Sequence, residues 1–80
     1  MPSDKAKTAA IVGMLIAATG VEPTIEDAPG RVRIEAALPD HLGGTQRRAI
    51  LLALDRADRY GHERRENRTT VWAELDKVDR

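Results

Sequence analysis

The sequence has no cysteine and no phenylalanine, and its only aromatic residues are Tyr60 and Trp72. Without cysteine the chain has neither disulfide bonds nor thiolate metal ligands. The histidines, His41 and His62, are isolated and lack metal-ligand spacing. Eighty residues form at most one domain (1–80) with a thin core. Close packing or a second subunit is therefore expected to supply the missing stability.

Catalytic motifs are absent from the sequence as well. It contains no G-x-S-x-G elbow, no H-E-x-x-H helix, no P-loop and no G-x-G-x-x-G turn. Gly43 and Gly44 precede a helix, where backbone amides can bind an anion, but no Lys-Ser/Thr pair of a nucleotide site follows them. We therefore expect a non-catalytic protein with no cofactor and no metal site.

The charges balance overall but are unevenly distributed. The formal net charge is zero, which argues against a general binder of polyanions. Residues 1–40 carry four basic and six acidic side chains, and residues 41–80 carry nine and seven. Arginine greatly outnumbers lysine, a bias typical of a GC-rich genome, so each single arginine is weaker evidence of a binding site.

The most apolar segment is residues 9–18, which follows two lysines. These ten residues are too few to span a bilayer. A signal-peptide core is the alternative, but cleavage would remove the best helix and leave about sixty residues, a length at which a domain is only marginally stable. We expect a cytoplasmic protein that does not contact a membrane.

Local signals predict the element order α-β-β-α-β. Capping residues and the glycines at 20 and 61 bound the helices, and a Pro-Gly pair at 29–30 favours a turn. The segment 62–68 is predicted to be a solvated, arginine-rich loop. The predicted elements are a helix from Ser3 or Asp4 to Thr19, strands at 21–26 and 31–38, a helix from Thr45 to Tyr60 and a strand at 69–76.

This order predicts an α+β fold, a two-layer sandwich in which both helices cover one face of a three-stranded mixed sheet. A right-handed parallel β-α-β crossover is expected within it. Pro23 cannot donate a ladder hydrogen bond, so the first strand is expected at an edge. The topology resembles a ferredoxin-like fold that lacks its first strand, and the position of the third strand beside the second is left open.

The first helix is apolar on nearly every side, a pattern that predicts burial all round. One sheet and one helix can hardly cover it in so small a monomer, so we expect a homodimer. Small residues at every fourth position also let helix backbones approach closely, although alanine is simply the best helix former. The candidate dimer or helix-packing residues are Ala9, Gly13, Ala17, Val12 and Ile16.

Trp72 alternates along the last strand with Val71, Ala73 and Leu75, and is therefore predicted to point away from the core. It could stack on a nucleic-acid base, lie over Arg33, or lie beneath a second subunit. The second helix and the following loop add further arginines. The candidate interaction surface comprises Trp72, Arg31, Arg33, Leu52, Arg48, Arg56, Arg59, Arg64, Arg65 and Arg68.

A resemblance is carried by two runs, ALDRADRYG at 53–61 and TVWAEL at 70–75. These runs resemble small uncharacterised proteins of high-GC actinobacteria, some of them carried on plasmids, integrative elements or phages. The resemblance implies an accessory protein of a mobile element. It transfers no functional residue.

Together these observations predict a non-catalytic, homodimeric interaction domain that binds another protein. The alternative is a small nucleic-acid-binding or regulatory protein that uses the arginine-rich second helix and the loop after it. Carboxylates lie between these arginines in the sequence and weaken the positive potential that would attract phosphates. This favours the prediction of a protein-binding domain.

Overall fold

The computed structural model describes residues 4–77, which form two helices and one four-stranded sheet. All strand pairs are antiparallel, and the strand order is β1-β2-β4-β3, which leaves β1 and β3 at the edges. The elements are α1 (Asp4–Thr19), β1 (Thr24–Ala28), β2 (Arg31–Ala37), α2 (Gly44–Leu54), β3 (Arg59–Arg65) and β4 (Arg68–Asp76).

Helix α1 ends where the sequence predicts. Gly20 adopts a left-handed φ of +74°, and its N–H donates to the carbonyl of Ile16 at 2.7 Å. The alternative N-terminal cap at Ser3 lies outside the described residues. The predicted end of α1 at Thr19 is therefore confirmed, since Gly20 closes the helix without strain.

Only one side of α1 is buried. Ile11 and Leu15 are almost wholly inaccessible within the core. The small residues Ala9, Gly13 and Ala17 lie on the other side and are exposed. The predicted all-round burial of α1 is therefore not met within one chain.

The core lies between the two helices and the central strands β2 and β4. Alternation places the apolar residues of both strands on the face that the helices cover. Burying an aliphatic side chain of this size contributes about 1.5–3 kcal/mol, so these residues dominate the stability of the fold. The buried apolar residues are Ile11, Leu15, Ala18, Val32, Ile34, Ala36, Ile50, Ala53, Leu54, Val71, Ala73 and Leu75.

The first hairpin joins β1 to β2. Ile25 lies opposite Ile34, and the turn places Gly30 at a φ of +86°. Strand β1 is an edge strand, as the proline at 23 predicts, but it spans residues 24–28 rather than 21–26.

The predicted three-stranded mixed sheet is wrong, because the segment expected to form a helix end and a loop is a strand. Helix α2 stops at Leu54 rather than Tyr60, and residues 59–65 pair with β4 as β3. Strand β4 lies between β2 and β3 and is antiparallel to both. The expected parallel β-α-β crossover is therefore absent from the described sheet, and the likeness to a truncated ferredoxin-like fold does not hold.

Strand β3 escapes prediction because its sequence, RYGHERR, lacks apolar alternation. Gly61, expected to stop a helix, is a strand residue opposite Trp72. A β-carbon at this position would lie 2.7 Å from Cζ2 of the indole ring. Glycine is thus needed here to admit the ring, not to end a helix.

Helix α2 also begins differently from the prediction. Its N-cap is Gly43, not Thr45. The side-chain oxygen of Gln46 accepts the N–H of Gly43 at 2.9 Å, and its amide donates to the carbonyl of Ala18 at 3.2 Å. Gln46 therefore caps α2 and fastens its first turn to the last turn of α1.

Neither helix within residues 4–77 combines the length and the apolar character needed to cross a membrane.

Candidate interaction surface

Two surfaces of the sheet carry most of the sequence-predicted binding residues. We call the sheet face turned away from the helices the outer face; it carries Trp72 and Glu74 of β4. We call the depression between α2 and β3 on the other face the α2–β3 groove; it is lined by Leu51 and Tyr60, among others. The two surfaces differ in whether their charges have partners.

The outer face is organised around the carboxylate of Glu74, which is only 6% exposed. It accepts a hydrogen bond from Nη1 of Arg33 at 2.8 Å and another from Nε of Arg59 at 3.2 Å, and Nη1 of Arg31 lies 3.6 Å away. Neighbouring strands supply these arginines, since Arg33 and Arg59 lie directly opposite Glu74 in the two ladders.

The arginines hold the pKa of Glu74 below its ordinary value. The hydrogen bond from Arg33 is the largest cause, burial opposes it, and Arg59 and Arg31 add to the lowering. The carboxylate is therefore kept ionised, with its oxygens committed to neighbours within the sheet.

Trp72 points away from the core, as the alternation predicts, but its ring is not free. The guanidinium carbon of Arg33 lies 4.7 Å from the ring centroid. The ring also covers the backbone of Gly61 on the neighbouring strand. Nε of Arg33 donates to Glu35 at 2.7 Å, which fixes the guanidinium in place. A base that stacked on this side of Trp72 would have to displace Arg33.

Arg59, expected on the second helix, begins β3 and joins the same outer-face cluster. Its guanidinium bonds both oxygens of Asp76, at 2.6 and 3.3 Å, in a bidentate pair. The hydrogen bond from Arg59 is the main cause that lowers the pKa of Asp76. The carboxylate of Asp58 accepts the backbone N–H of Asp76 at 2.7 Å. These contacts join the start of β3 to the end of β4.

The cluster is electrically balanced. It consists of three arginines and three carboxylates: Arg31, Arg33, Arg59, Glu35, Glu74 and Asp76. Three of the eight sequence-predicted arginines are therefore less available to phosphates, because carboxylates of the sheet already pair with them.

The α2–β3 groove is open and apolar at one end, with a volume of about 530 Å³. Leu51 is 57% exposed and Tyr60 is 46% exposed, and both line it. Ile50, Leu54 and Val71 form its buried floor. Because α2 stops before β3 begins and covers little of this edge strand, the inner side of β3 is left open.

The other end of the groove is cationic. Arg47 projects from the first turns of α2, and His62 and Arg64 come from the inner side of β3. Among the described residues that line the groove, Asp40 is the only carboxylate. Within residues 4–77, no carboxylate forms an ion pair with Arg47 or Arg64. These cations can therefore meet an external anion without breaking an internal pair.

An unpaired strand edge borders the groove. Strand β3 pairs with β4 on one side only, so its other side presents backbone donors and acceptors to solvent. The edge of β1 borders a second depression, lined by Ile25, Val12 and Lys5 among others. The α2–β3 groove differs in its longer edge strand and in its two arginines, neither of which forms an ion pair among residues 4–77.

The remaining predicted interaction residues do not join the groove or the outer-face cluster. Arg48, Leu52 and Arg56 are exposed on α2 or just beyond it. Arg65 and Arg68 lie opposite each other at the tip of the β3–β4 hairpin. The single surface expected from the sequence is thus divided among several sides of the domain.

The interaction surface predicted from the sequence lacks the groove residues Arg47, Leu51, Tyr60 and His62. Tyr60 and His62 were placed in a helix end and a loop, where they have no common side. The alternation of Tyr60 and His62 with Gly61 places both side chains on one face of a strand, but this signal can be used only once residues 59–65 are recognised as a strand.

No protein-family model, curated protein or solved structure matches the chain. The resemblance of residues 53–61 and 70–75 to small actinobacterial proteins therefore stays a prediction. Among residues 4–77, no group of three or more histidine or carboxylate side chains is placed to hold a metal ion.

Proposed function

We propose that this chain is a non-catalytic interaction domain that binds another protein in the α2–β3 groove. One observation carries the proposal: the exposed Leu51 and Tyr60 lie beside Arg47 and Arg64, which have no carboxylate partner among residues 4–77. Exposed apolar side chains rimmed by charge are typical of protein contact surfaces.

A comparison with the outer face also favours the groove as the binding site. Trp72 lies against Arg33, and the arginines are paired with carboxylates. A partner at that face would have to break these contacts, whereas a partner in the groove has only solvent to displace. The groove is therefore the better candidate site.

Site-specific photo-crosslinking in the native host tests this proposal. A photoreactive residue replaces Leu51 in the groove, and a matched protein carries it at Glu26 on β1. We expect one protein to crosslink from position 51 but not from 26, with no change after nuclease treatment. A Tyr60→Ser substitution should abolish the crosslink. Equal crosslinking from both positions would remove the groove as the site.

Nucleic acid is the second candidate partner, since the structure leaves several arginines without partners. Within residues 4–77, Arg64, Arg65 and Arg68 form no ion pair. This role predicts salt-dependent binding that is weakened when Arg64 and Arg65 are both changed to alanine. If the protein binds neither single- nor double-stranded DNA and RNA at low salt, this candidate is removed.

The proposal includes a homodimer through the exposed side of α1. Ile16 is 40% exposed there, beside the small residues Gly13 and Ala17. A β-carbon at Gly13 would meet no atom within 4 Å, so this side has room for a second helix. Light scattering should give a dimer, and Ala17→Glu should give a folded monomer. A clean monomer of the unchanged protein at high concentration would remove this part of the proposal.

A cytoplasmic location and a role as an accessory protein of a mobile element also belong to the proposal. The first fits an α1 helix whose Ile11 and Leu15 form part of the folded core. The second rests only on the resemblance of two sequence runs. Fractionation of the native host checks the location.

A further inference from the structure

We infer that the partner contributes an extended acidic segment, which adds as a fifth strand to the free edge of β3 and places alternate side chains in the α2–β3 groove. This inference rests on the proposed function and names the chemistry of the segment. It follows from the unpaired backbone edge of β3, from the spacing of the side chains along β3 and from the positive charge of the groove.

The edge of β3 suits an added strand better than the edge of β1. Strand β3 has seven residues and β1 has five. Two lysines line the depression beside β1, and one of them, Lys77, already forms an ion pair with Asp27, which leaves Lys5 as a single cation there among residues 4–77. Two arginines, Arg47 and Arg64, line the groove beside β3, and neither forms an ion pair among residues 4–77. Strand addition gains backbone hydrogen bonds from the edge and specificity from the flanking side chains.

The spacing along β3 specifies the pattern of the segment. Tyr60, His62 and Arg64 point into the groove, with Tyr60 at its apolar end and Arg64 at its cationic end. A strand rises about 3.3 Å per residue, so Tyr60 and Arg64 are about 13 Å apart. An added strand therefore places an apolar residue beside Tyr60 and an acidic residue beside Arg64, four positions apart on one face.

Charge excludes a second copy of β3 as the preferred occupant. The strand carries Arg59, Arg64 and Arg65 against the single carboxylate Glu63. Pairing β3 with another β3 brings two positive strands together, and like charges on opposed strands are destabilising. An acidic segment instead meets the unpaired arginines of the groove.

Backbone chemistry favours a peptide over a nucleic acid at this edge. A strand edge presents carbonyl acceptors as well as N–H donors. A peptide backbone supplies both complements, whereas a phosphodiester chain accepts hydrogen bonds but donates none to the carbonyls. Nucleic acid could satisfy the arginines but would leave half of the edge unpaired.

Selection from a library of random peptides of about ten residues, long enough to span β3, tests the inference. We expect the selected peptides to be acidic, with an apolar and an acidic residue four positions apart. Methylating alternate backbone nitrogens of a selected peptide should weaken binding about tenfold or more at one set of positions and little at the other. Basic or helical peptides, indifference to methylation, or no selected peptide would overturn the inference.

Variants of the protein supply the matched controls. Arg64→Glu should weaken binding of an acidic peptide about tenfold or more, and lysine in place of the peptide's acidic residue should restore it. Arg56→Glu changes the same charge outside the groove and should have little effect. Equal losses from both variants would indicate general electrostatic attraction and overturn the assignment to β3.

The outcome also separates this inference from the proposed function. A native partner that crosslinks at position 51 through a folded or helical surface keeps the proposed function and overturns strand addition. An oligonucleotide that competes with the selected peptides at β3 would instead favour nucleic acid. Self-association that the peptides abolish would identify a second copy as the occupant.

Discussion

The outer face of the sheet and the α2–β3 groove contain similar side chains, arginines beside one aromatic ring, but they differ in what those side chains contact. On the outer face, Trp72 lies against Arg33, and the arginines are held by carboxylates. In the groove, Tyr60 and Arg64 face solvent. The difference shows that strand neighbours, not the number of arginines, decide which cations remain free to bind a partner.

The strand register creates this difference. Glu74 lies between Arg33 on β2 and Arg59 on β3, so a central strand pairs its charge on both sides. Arg64 lies opposite Thr69, so the neighbouring strand places no carboxylate across from it. An edge strand with an uncharged neighbour leaves its arginine available.

The largest expected effect on the outer face comes from Gly61→Val. The new β-carbon would lie 2.7 Å from Cζ2 of Trp72, so the ring must leave its place over the strand. We expect the free energy of unfolding to fall by about 1–3 kcal/mol, as for other overpacked sites. Urea unfolding followed by circular dichroism measures it.

The control for Gly61→Val is the same change in a Trp72→Ala background. Without the ring, valine meets no clash and suits a strand better than glycine does. The cost should therefore vanish. An equal cost in both backgrounds would contradict the packing of Trp72 on β3.

A smaller effect is expected from Glu74→Gln and should depend on pH. The folded state lowers the pKa of Glu74 from its ordinary value of 4.5, so its stabilising contribution is complete above that value. The contribution is lost as the pH falls through the folded value. We therefore expect the urea midpoint of the variant to change less with pH below 4.5 than that of the unchanged protein.

Glu63→Gln provides the comparison for Glu74→Gln. Glu63 lies on the same outer face, on β3, and forms no ion pair among residues 4–77. This variant should follow the pH dependence of the unchanged protein. A flattened profile in both variants would show that the loss of one negative charge, not the arginine cluster, causes the change.

Glu66→Gly should stabilise the β3–β4 hairpin slightly. Glu66 has a φ of +54°, a left-handed conformation that costs energy for a residue with a β-carbon. Relief of this strain should raise the free energy of unfolding by about 0.5–1 kcal/mol. Thermal unfolding measures the gain, and a loss of stability would contradict the turn geometry that ends β3.

The smallest effect on stability is expected from Leu51→Asp in the groove. Leu51 is 57% exposed, so the free energy of unfolding should change by no more than about 0.5 kcal/mol. Binding of the native partner or of a selected peptide should nevertheless be lost, because the groove becomes acidic and polar. Unchanged binding with unchanged stability would remove Leu51 from the contact surface.

Elements with strong local signals could be predicted from the sequence. The end of α1 at Gly20 and the outward position of Trp72 depend on glycine and on alternation, and both are observed. The edge position of β1 is also observed, although Pro23, on which the expectation rests, precedes the strand at 24–28. For the end of α1 and for Trp72, the determining physics lies within a few residues.

The second half of the fold could not be predicted in the same way. Strand β3 has no apolar alternation, and it forms because β4 offers a partner and because a turn at Glu66 returns the chain. Gly61 is explained only by the indole ring across the ladder. The groove depends on β3, so its residues could not be grouped before the pairing was known.

Hydrogen–deuterium exchange of the protein with and without its bound partner segment tests the central claim most directly. If the segment adds to the free edge of β3, amide protection should rise along residues 59–65 and on the groove side of α2, while β1 at 24–28 stays unchanged. Protection at β1, or at the outer face around Trp72 alone, would contradict the account.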